Sequence, residues 1–344
     1  MQVYNDIDQK IISAEVAEYI FKSLFGTSAN NSEEIFYLNQ ASGLAPGYEV
    51  PYILRGRFHL RQKEYKNALF EFTQVIDRKP ELALPYYFRG RTYKLLEDYP
   101  NALKDLDKTL QLDKEYVISL KEKFDIHYIL NDYPQAIRDY QMAFDIDSTA
   151  VDGFTISSKL NNMAVHYLEG QDYQNALTCL SAALTADARW VEPYLNRGIV
   201  YRHLGQYDNS IADLSAAIEI KPEDMQGYFN RAQTYIKMDE ADKAKIDLVL
   251  ALSLSDRNEN IHFEIAKIYY EEKYNKAIYH FEQTLKKNKS NIWANYWLGI
   301  CFDNIKSYND AVVYYIRFLE LVPDAFFRHK AHIQKRIEIL KKFK

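Results

Sequence analysis

Apolar and polar positions repeat along most of this chain with a period of 34 residues. The stretch Val191–Pro222 shows the pattern, with one amphipathic segment, a turn at Gly205-Gln206-Tyr207, and a second amphipathic segment that ends before Pro222. Within each segment, apolar residues recur every three or four positions, a spacing that places them on one face of an α-helix. The stretch therefore predicts two short helices joined by a tight turn.

Eight units of this kind follow one another in register. Position 8 is small in seven units, position 20 is Ala or Ser in all eight, and position 17 is Tyr in seven. Small residues allow close helix contact, and the aromatic fills the space beside the turn. Eight of the nine prolines fall at positions 3, 18 or 32, where a helix begins or has just ended and proline is tolerated. The units begin at Glu49, Ala83, Val117, Ser157, Val191, Met225, Glu259 and Ile292.

These residues resemble the tetratricopeptide repeat family, whose pattern combines an aromatic, Leu-Gly, Tyr, Ala-x-x-x-Phe and Pro. Trp297-Leu298-Gly299 and the pair Ala68 and Phe72 match it well, and the resemblance covers about residues 49–323. It implies an all-α fold, an α-solenoid in which antiparallel helix pairs form a right-handed superhelix. It also implies a concave face lined by the first helix of each pair.

The segments outside the array are predicted to be helical caps that cover its terminal apolar faces. Residues 1–48 predict two helices, one with an apolar face of Ile12, Val16, Ile20 and Leu24 that stops at Gly26, and one capped by Ser32 that ends at Gly43. Residues 324–344 predict a basic helix with an apolar stripe of Phe326, Phe327, Ile333, Ile337 and Leu340. The basic surface of this helix leaves open a docking role towards acidic lipid or nucleic acid.

Two departures interrupt the register. Six residues, 151–156, are inserted between the third and fourth units, and we interpret them either as a longer helix connection or as a bend at Gly153. The seventh unit is one residue short at its turn, around Glu271-Glu272-Lys273, and regains the phase at Tyr274.

Composition restricts the class of protein. The net charge of −5 argues against a general nucleic-acid binder. Cys179 and Cys301 lie far apart without metal-ligand spacing, which indicates buried thiols in a reducing compartment. The chain shows neither a basic-then-apolar leader nor a run of about 18 apolar residues. These features predict a soluble cytoplasmic protein.

Motifs for catalysis are missing from the sequence. It contains no Gly-rich phosphate loop, no HExxH and no GxSxG, so we expect neither enzymatic activity nor a cofactor. His59 and His127 occupy position 11, where a packed aromatic is expected, and are predicted to be core residues. His329 and His332 are three residues apart without a nearby carboxylate or cysteine, too few ligands to predict a metal site.

The family resemblance places positions 2, 5, 6, 9, 12 and 13 of each unit on the concave face. Near the N-terminal end these positions carry the cations Arg57, Arg61, Arg91 and Lys94. Near the C-terminal end they carry the aromatic residues Phe263, Tyr270, Trp293, Tyr296 and Trp297. Between them, position 6 carries Asn162, Asn196 and Asn230, one repeat apart.

An amide side chain can both donate to and accept from a peptide backbone. A row of asparagines can therefore hold an extended peptide, as in some members of the family; alternatively, these residues contact only their neighbours. The family's clamp for C-terminal carboxylates requires basic residues where this chain has Gln226 and Asn230, so that clamp is not predicted. In the unit that begins at Val191, Asn196, Arg202 and His203 are not required by the stack and face the same groove.

We therefore predict a non-enzymatic scaffold that binds a peptide or protein segment in its groove. Two alternatives remain: an anionic-ligand or nucleic-acid binder that uses the N-terminal cations, or a regulatory subunit of a separately encoded enzyme. The sequence does not identify the partner or the oligomeric state.

Overall fold

The computed structural model describes residues 6, 12–25, 31–149, 152–254 and 259–343. These residues form helices joined by short turns, with no strand among them. The α-helices are α1 (Ala14–Phe25), α2 (Asn31–Leu44), α3 (Val50–Arg61), α4 (Tyr65–Arg78), α5 (Ala83–Leu95), α6 (Tyr99–Leu112), α7 (Val117–Ile129), α8 (Tyr133–Ile146), α9 (Gly153–Glu169), α10 (Tyr173–Ala186), α11 (Val191–His203), α12 (Tyr207–Ile220), α13 (Met225–Lys237), α14 (Ala241–Leu254), α15 (Glu259–Glu272), α16 (Tyr274–Lys287), α17 (Ile292–Asn304), α18 (Tyr308–Leu321) and α19 (Phe327–Leu340). The predicted all-α solenoid of helix pairs is confirmed.

A single residue in the left-handed region closes the turn between the two helices of a repeat. It occupies position 15, with φ between 57° and 72°, at Lys63, Glu97, Asn131, Gln171, Gly205, Asp239 and Lys306. The seventh repeat lacks this residue. Its turn passes through Lys273 in an extended conformation, and α16 begins directly at Tyr274, as the sequence predicted. The residue that the seventh repeat lacks is therefore the one at position 15, which the other seven repeats hold in the left-handed conformation that most side chains disfavour.

Small residues at positions 8 and 20 let the paired helices touch. A Cβ atom added to Gly56 would lie 2.5 Å from the ring of Phe72, and one added to Gly198 would lie 2.6 Å from Cγ of Leu214. Phe72 and Leu214 both occupy position 24, so a large residue there fills the space that position 8 leaves. All eight residues at position 20 are buried, among them Ala136.

A buried ion pair joins the two helices of five repeats within the described residues, always between positions 7 and 23. Arg197 donates from Nε and Nη2 to the carboxylate of Asp213 at 2.7 and 2.8 Å, and its Nη1 lies 3.3 Å from Oγ of Ser181 in the preceding repeat. The equivalent pairs are Arg55–Glu71, Arg89–Asp105, Lys123–Asp139 and Arg231–Asp247. In the other three repeats the two positions hold Met163 and Cys179, Ile265 and His280, and Leu298 and Tyr314. Positions 7 and 23 therefore change together.

The chain divides into two compact units, residues 1–152 and 153–344. The first contains α1 to α8, and the second contains α9 to α19. The division falls inside the predicted insertion 151–156, of which residue 151 lies outside the described part.

Most of this insertion is helical, which differs from the connection or bend that the sequence suggested. α9 begins at Gly153 and has 17 residues, whereas α11 and α13 have 13 each. The added turn is held by packing: the ring of Phe154 meets that of Trp190 edge to face at 5.6 Å. Gly153 itself lies against the last carbonyl of α10, that of Ala186.

Gly153→Ala is expected to destabilise the unit of residues 153–344. Its Cβ would lie 2.5 Å from the carbonyl oxygen of Ala186, so the backbone must shift, at a cost of about 1–3 kcal/mol. Urea denaturation followed by circular dichroism measures the effect. Gly170→Ala is the matched control, because its Cβ would make only ordinary contacts, at 3.6 Å or more. Equal denaturation midpoints for the two variants would contradict this packing.

The N-terminal helices pack against each other much as predicted, with different ends. Ile20 is fully buried, but Leu24, predicted on the same face, is 47% exposed. α2 already begins one residue before Ser32, which is therefore not its cap, and it continues one residue beyond Gly43. The predicted stop at Gly26 lies outside the described residues.

The last helix buries only the second part of its predicted stripe. Ile333, Ile337 and Leu340 are buried on α18, while Phe327 is 65% exposed. Phe327 opens the helix immediately after a 3-10 turn, and the register that buries the three aliphatic residues turns this first ring outwards.

Candidate functional site

The first helix of each repeat lies in the inner layer of its unit. In residues 1–152, α5 contacts both α3 and α7; in residues 153–344, α11 contacts both α9 and α13. Each of these helices thus meets the first helices of neighbouring repeats as well as its own partner. Their remaining faces form the surface that the resemblance assigned to the groove.

The four predicted cations of the first unit lie on this layer, and three of them are paired with acids. Arg61 Nη2 is 2.5 Å from Glu34, and Lys94 Nζ is 2.6 Å from Glu122 and 2.8 Å from Asp125.

Arg91 Nε shares the same Glu122 at 3.5 Å. Arg57 lies over the ring of Phe88, with Cζ 5.3 Å from its centroid. Acids of the chain itself therefore neutralise most of the charge that an anionic ligand would need.

The predicted asparagine row is present in part and is shifted by one residue at its start. Asn196 Nδ2 donates to Oδ1 of Asn161 at 2.9 Å. Asn161 is only 7% exposed, whereas Asn162, which the register assigned to this place, points into solvent. Asn230, at the same position of the next repeat, is half-buried. The pair fixes the amide of Asn196 and leaves its Oδ1 and one N–H without a hydrogen bond within the described residues.

Arg202 lies beside this row as a half-buried cation. Its Nη1 donates to the backbone carbonyl of Asn230 at 2.9 Å, and no carboxylate of the described residues pairs with it. Burial lowers the pKa of its guanidinium. Burial, followed by the charges of Arg202 and Lys237, also lowers the pKa of the adjacent His203, whose ring stacks on Tyr173 at 5.2 Å. This part of the surface is therefore electropositive.

The signal for Arg202 in the sequence is an arginine at position 12 of a repeat whose other arginine, Arg197, already has its acid at position 23. Arg197 and Asp213 satisfy each other, so Arg202 remains without a matching acid in its own repeat.

The predicted aromatic residues form two adjoining groups, which meet where Tyr296 lies edge to face with Trp297 at 5.7 Å. In the first, Tyr270 meets Trp297 edge to face at 4.9 Å and Tyr274 at 5.5 Å. Phe263 packs deeper, edge to face on Phe281 at 5.6 Å. Tyr270 and Trp297 remain partly exposed, so they can offer an apolar contact on the inner layer.

The second group packs against the C-terminal segment. Trp293 lies 5.7 Å from Phe326 and 5.9 Å from His329, and Tyr296 lies 6.3 Å from His329. Trp293 and Tyr296 therefore help to hold the last helix in place, a contact that the periodicity of the sequence could not show.

The histidines serve packing and hydrogen bonding. His127 is buried as predicted, with Nδ1 2.5 Å from Asp139, and His59 Nδ1 is 2.6 Å from Glu64. In the seventh repeat, Nδ1 of His262 and Nδ1 of His280 are 3.1 Å apart.

The described part of the chain contains no group of three or more His, Cys, Asp or Glu side chains placed to hold a metal ion. Both cysteines are free and buried, and burial raises the pKa of each thiol to about 12, so neither is a ready nucleophile. Within the described ranges, no helix has the length and apolarity needed to cross a bilayer.

Two family models match the second unit. Residues 198–239 match a TPR repeat model and residues 226–258 match a tetratricopeptide repeat model. No curated protein is similar to the chain in sequence.

Solved structures with a similar arrangement of helices share little sequence with the chain. The C-terminal part of a TPR repeat-containing protein from Cytophaga hutchinsonii is 16% identical over 71% of this chain and 98% of that one, with a TM-score of 0.48. MamA from Desulfovibrio magneticus is 16% identical over 48% of this chain and 94% of that one, with a TM-score of 0.44. YrrB, described as a TPR protein with an unusual peptide-binding site, is 19% identical over 54% and 92%, with a TM-score of 0.38.

Proposed function

The chain is a tetratricopeptide repeat protein, and we propose that it is a non-enzymatic scaffold that binds a peptide or protein segment along the inner layer of residues 153–344. Stacked repeats of this kind present extended surfaces for partners, which supports an interaction role in general. The observation that carries the specific proposal is the hydrogen bond between Asn196 and Asn161 on neighbouring repeats, with the half-buried Asn230 at the equivalent position of the next repeat.

The chemistry of this row suits an extended backbone. Asn196 is held in one orientation by Asn161, so binding a peptide would not require its amide to be ordered. Its free oxygen can accept from a peptide N–H, and its second N–H can donate to a peptide carbonyl. The partly exposed Tyr270 and Trp297 add a place for an apolar side chain.

The N-terminal cations favour this proposal over an anion-binding function. Arg61, Arg91 and Lys94 already have acidic partners, so a phosphate would have to displace a carboxylate at each. We therefore do not extend the proposal to nucleic acid.

Replacing Asn196 and Asn230 together by alanine is expected to weaken peptide binding about fivefold or more, because two backbone-directed amides are lost at about 0.5–1.5 kcal/mol each. An array of overlapping peptides, probed with the full chain and followed by titration of the best peptides, measures this. Helicity is expected to remain unchanged.

The matched control is Thr178→Ala with Ile246→Ala, two exposed positions on the second helices α10 and α14. It is expected to bind as the wild type does. Equal affinity of the asparagine double variant and this control would place the binding surface elsewhere.

A further inference from the structure

Arg202 carries a positive charge that the described part of the chain does not balance. Burying an ionised group without a counter-charge is unfavourable, so buried cations in proteins are normally paired. Elsewhere in this chain the rule holds: Arg197 is paired with Asp213, and Lys94 with Glu122. Among the described residues, the half-buried Arg202 donates only to a backbone carbonyl.

We propose that Arg202 is the recognition site for the carboxylate of an internal Asp or Glu side chain of the bound segment. This inference rests on the proposed function and specifies its partner as an acidic peptide.

The geometry leaves the correct atoms free. The bond from Nη1 to the carbonyl of Asn230 fixes the plane of the guanidinium. Nε and Nη2 make no hydrogen bond within the described residues, and these two donors together fit the two oxygens of a carboxylate. Asn196 and Asn230 belong to the same inner layer and can hold the peptide backbone on either side of that carboxylate.

The surroundings strengthen the attraction for an anion. Lys237 and Arg202 both act electrostatically on the adjacent His203, so Lys237 adds a second positive charge near the site. His203 itself adds no charge at pH 7, because its pKa is lowered from 6.5. In a partly buried site such charges are screened less than on an open surface.

The position within the repeats selects an internal side chain rather than a chain terminus. Arg202 belongs to the fifth repeat, and the inner layer of the same unit continues to Asn161 in the fourth repeat and to Tyr270 in the seventh. A segment that occupies this layer therefore passes Arg202 instead of ending there.

The test uses the full chain and pools of acetylated, amidated decapeptides that lack Asp and Glu except at a fixed central position. The central residue is Glu in one pool and Gln in the other. The wild type is expected to retain at least five times as much peptide from the Glu pool as from the Gln pool. Arg202→Met is expected to abolish this difference. Arg189→Gln, a 93% exposed arginine in the α10–α11 turn, is the control and should keep it.

A third pool, with Gln at the centre and a free C-terminal carboxylate, tests the alternative source of the anion. Preference for this pool over the Glu pool would overturn the assignment to an internal side chain. Equal retention of the Glu and Gln pools would overturn the acid recognition but leave groove binding intact. Retention of none of the pools would count against both proposals.

A stability measurement separates binding from a structural role. Because Arg202→Met removes a half-buried charge that has no acid beside it among the described residues, the melting temperature is expected to stay the same or to rise. A lower melting temperature would show that the guanidinium stabilises the fold through Asn230 and would contradict the proposal.

Discussion

Asp213→Ala is expected to lower the free energy of unfolding by about 3–5 kcal/mol, because it leaves the guanidinium of Arg197 buried without its acid. The two side chains are 20% and 9% exposed and are joined by two charge-assisted hydrogen bonds, which raise the pKa of Arg197. Urea denaturation of the full chain, followed by circular dichroism, measures the loss.

Replacing both partners is expected to cost much less than replacing one. The fourth repeat shows that an uncharged pair fits these two positions, since it holds Met163 and Cys179 there, and Cys179 is fully buried. The double variant Arg197→Met with Asp213→Cys places the same two residue types in the fifth repeat. Its free energy of unfolding should lie within about 1–2 kcal/mol of the wild-type value, because no charge remains to be desolvated.

Glu240→Ala provides the comparison with an exposed pair. Glu240 and Lys243 are 43% and 55% exposed, so the loss should not exceed about 1 kcal/mol. If Asp213→Ala cost no more than Glu240→Ala, the buried pairs would not stabilise the repeats.

Lowering the pH from 7 to 5 is expected to destabilise the unit of residues 153–344 by about 2 kcal/mol through His280 alone. Burial, followed by the nearby His262 and Lys276, lowers the pKa of His280 to about 4 from its ordinary value of 6.5. The folded state therefore binds a proton less readily than the unfolded chain does. This contribution to stability is present above pH 6.5 and is lost as the pH falls towards 4.

Within the described residues, the charged groups that act on His280 are the basic side chains of His262 and Lys276. Its ring stacks on Tyr269 at 5.8 Å and meets Tyr279 edge to face at 5.1 Å. Lys276 lies over the same Tyr269 ring at 4.9 Å, and Lys245 at 4.7 Å. Two lysines and a second histidine face this site, so protonation adds a like charge to a buried cluster.

His280→Tyr removes the titrating group and installs the residue that the eighth repeat has at this position, Tyr314. Urea denaturation midpoints at pH 7, 6 and 5 should fall less steeply for this variant than for the wild type. His332→Gln, on the exposed face of α19, is expected to keep the wild-type slope. If the urea midpoint fell equally steeply with pH for the wild type and His280→Tyr, His280 would not cause the loss of stability at low pH.

The candidate site contains some contacts that the repeat pattern predicts and others that it does not. The period predicted that Asn196 and Asn230 share one face, because positions 34 residues apart occupy equivalent places in a stack. It could not predict that Asn161 rather than Asn162 meets Asn196, because that contact depends on how two neighbouring helices pack against each other. It also could not show that Arg61 and Lys94 are neutralised, since their acids lie on other helices.

The sequence by itself determined the repeat: which positions are small, which are aromatic, and where a turn must lie. These properties depend on contacts within a repeat and with its neighbours, so they recur at a fixed spacing and are legible in the chain. The tertiary structure decided which charges remain without a partner. Arg197 and Arg202 stand five residues apart on the same helix, yet one pairs with Asp213 and the other, among the described residues, donates only to the carbonyl of Asn230. That difference depends on the direction of two side chains in three dimensions, which no linear period records.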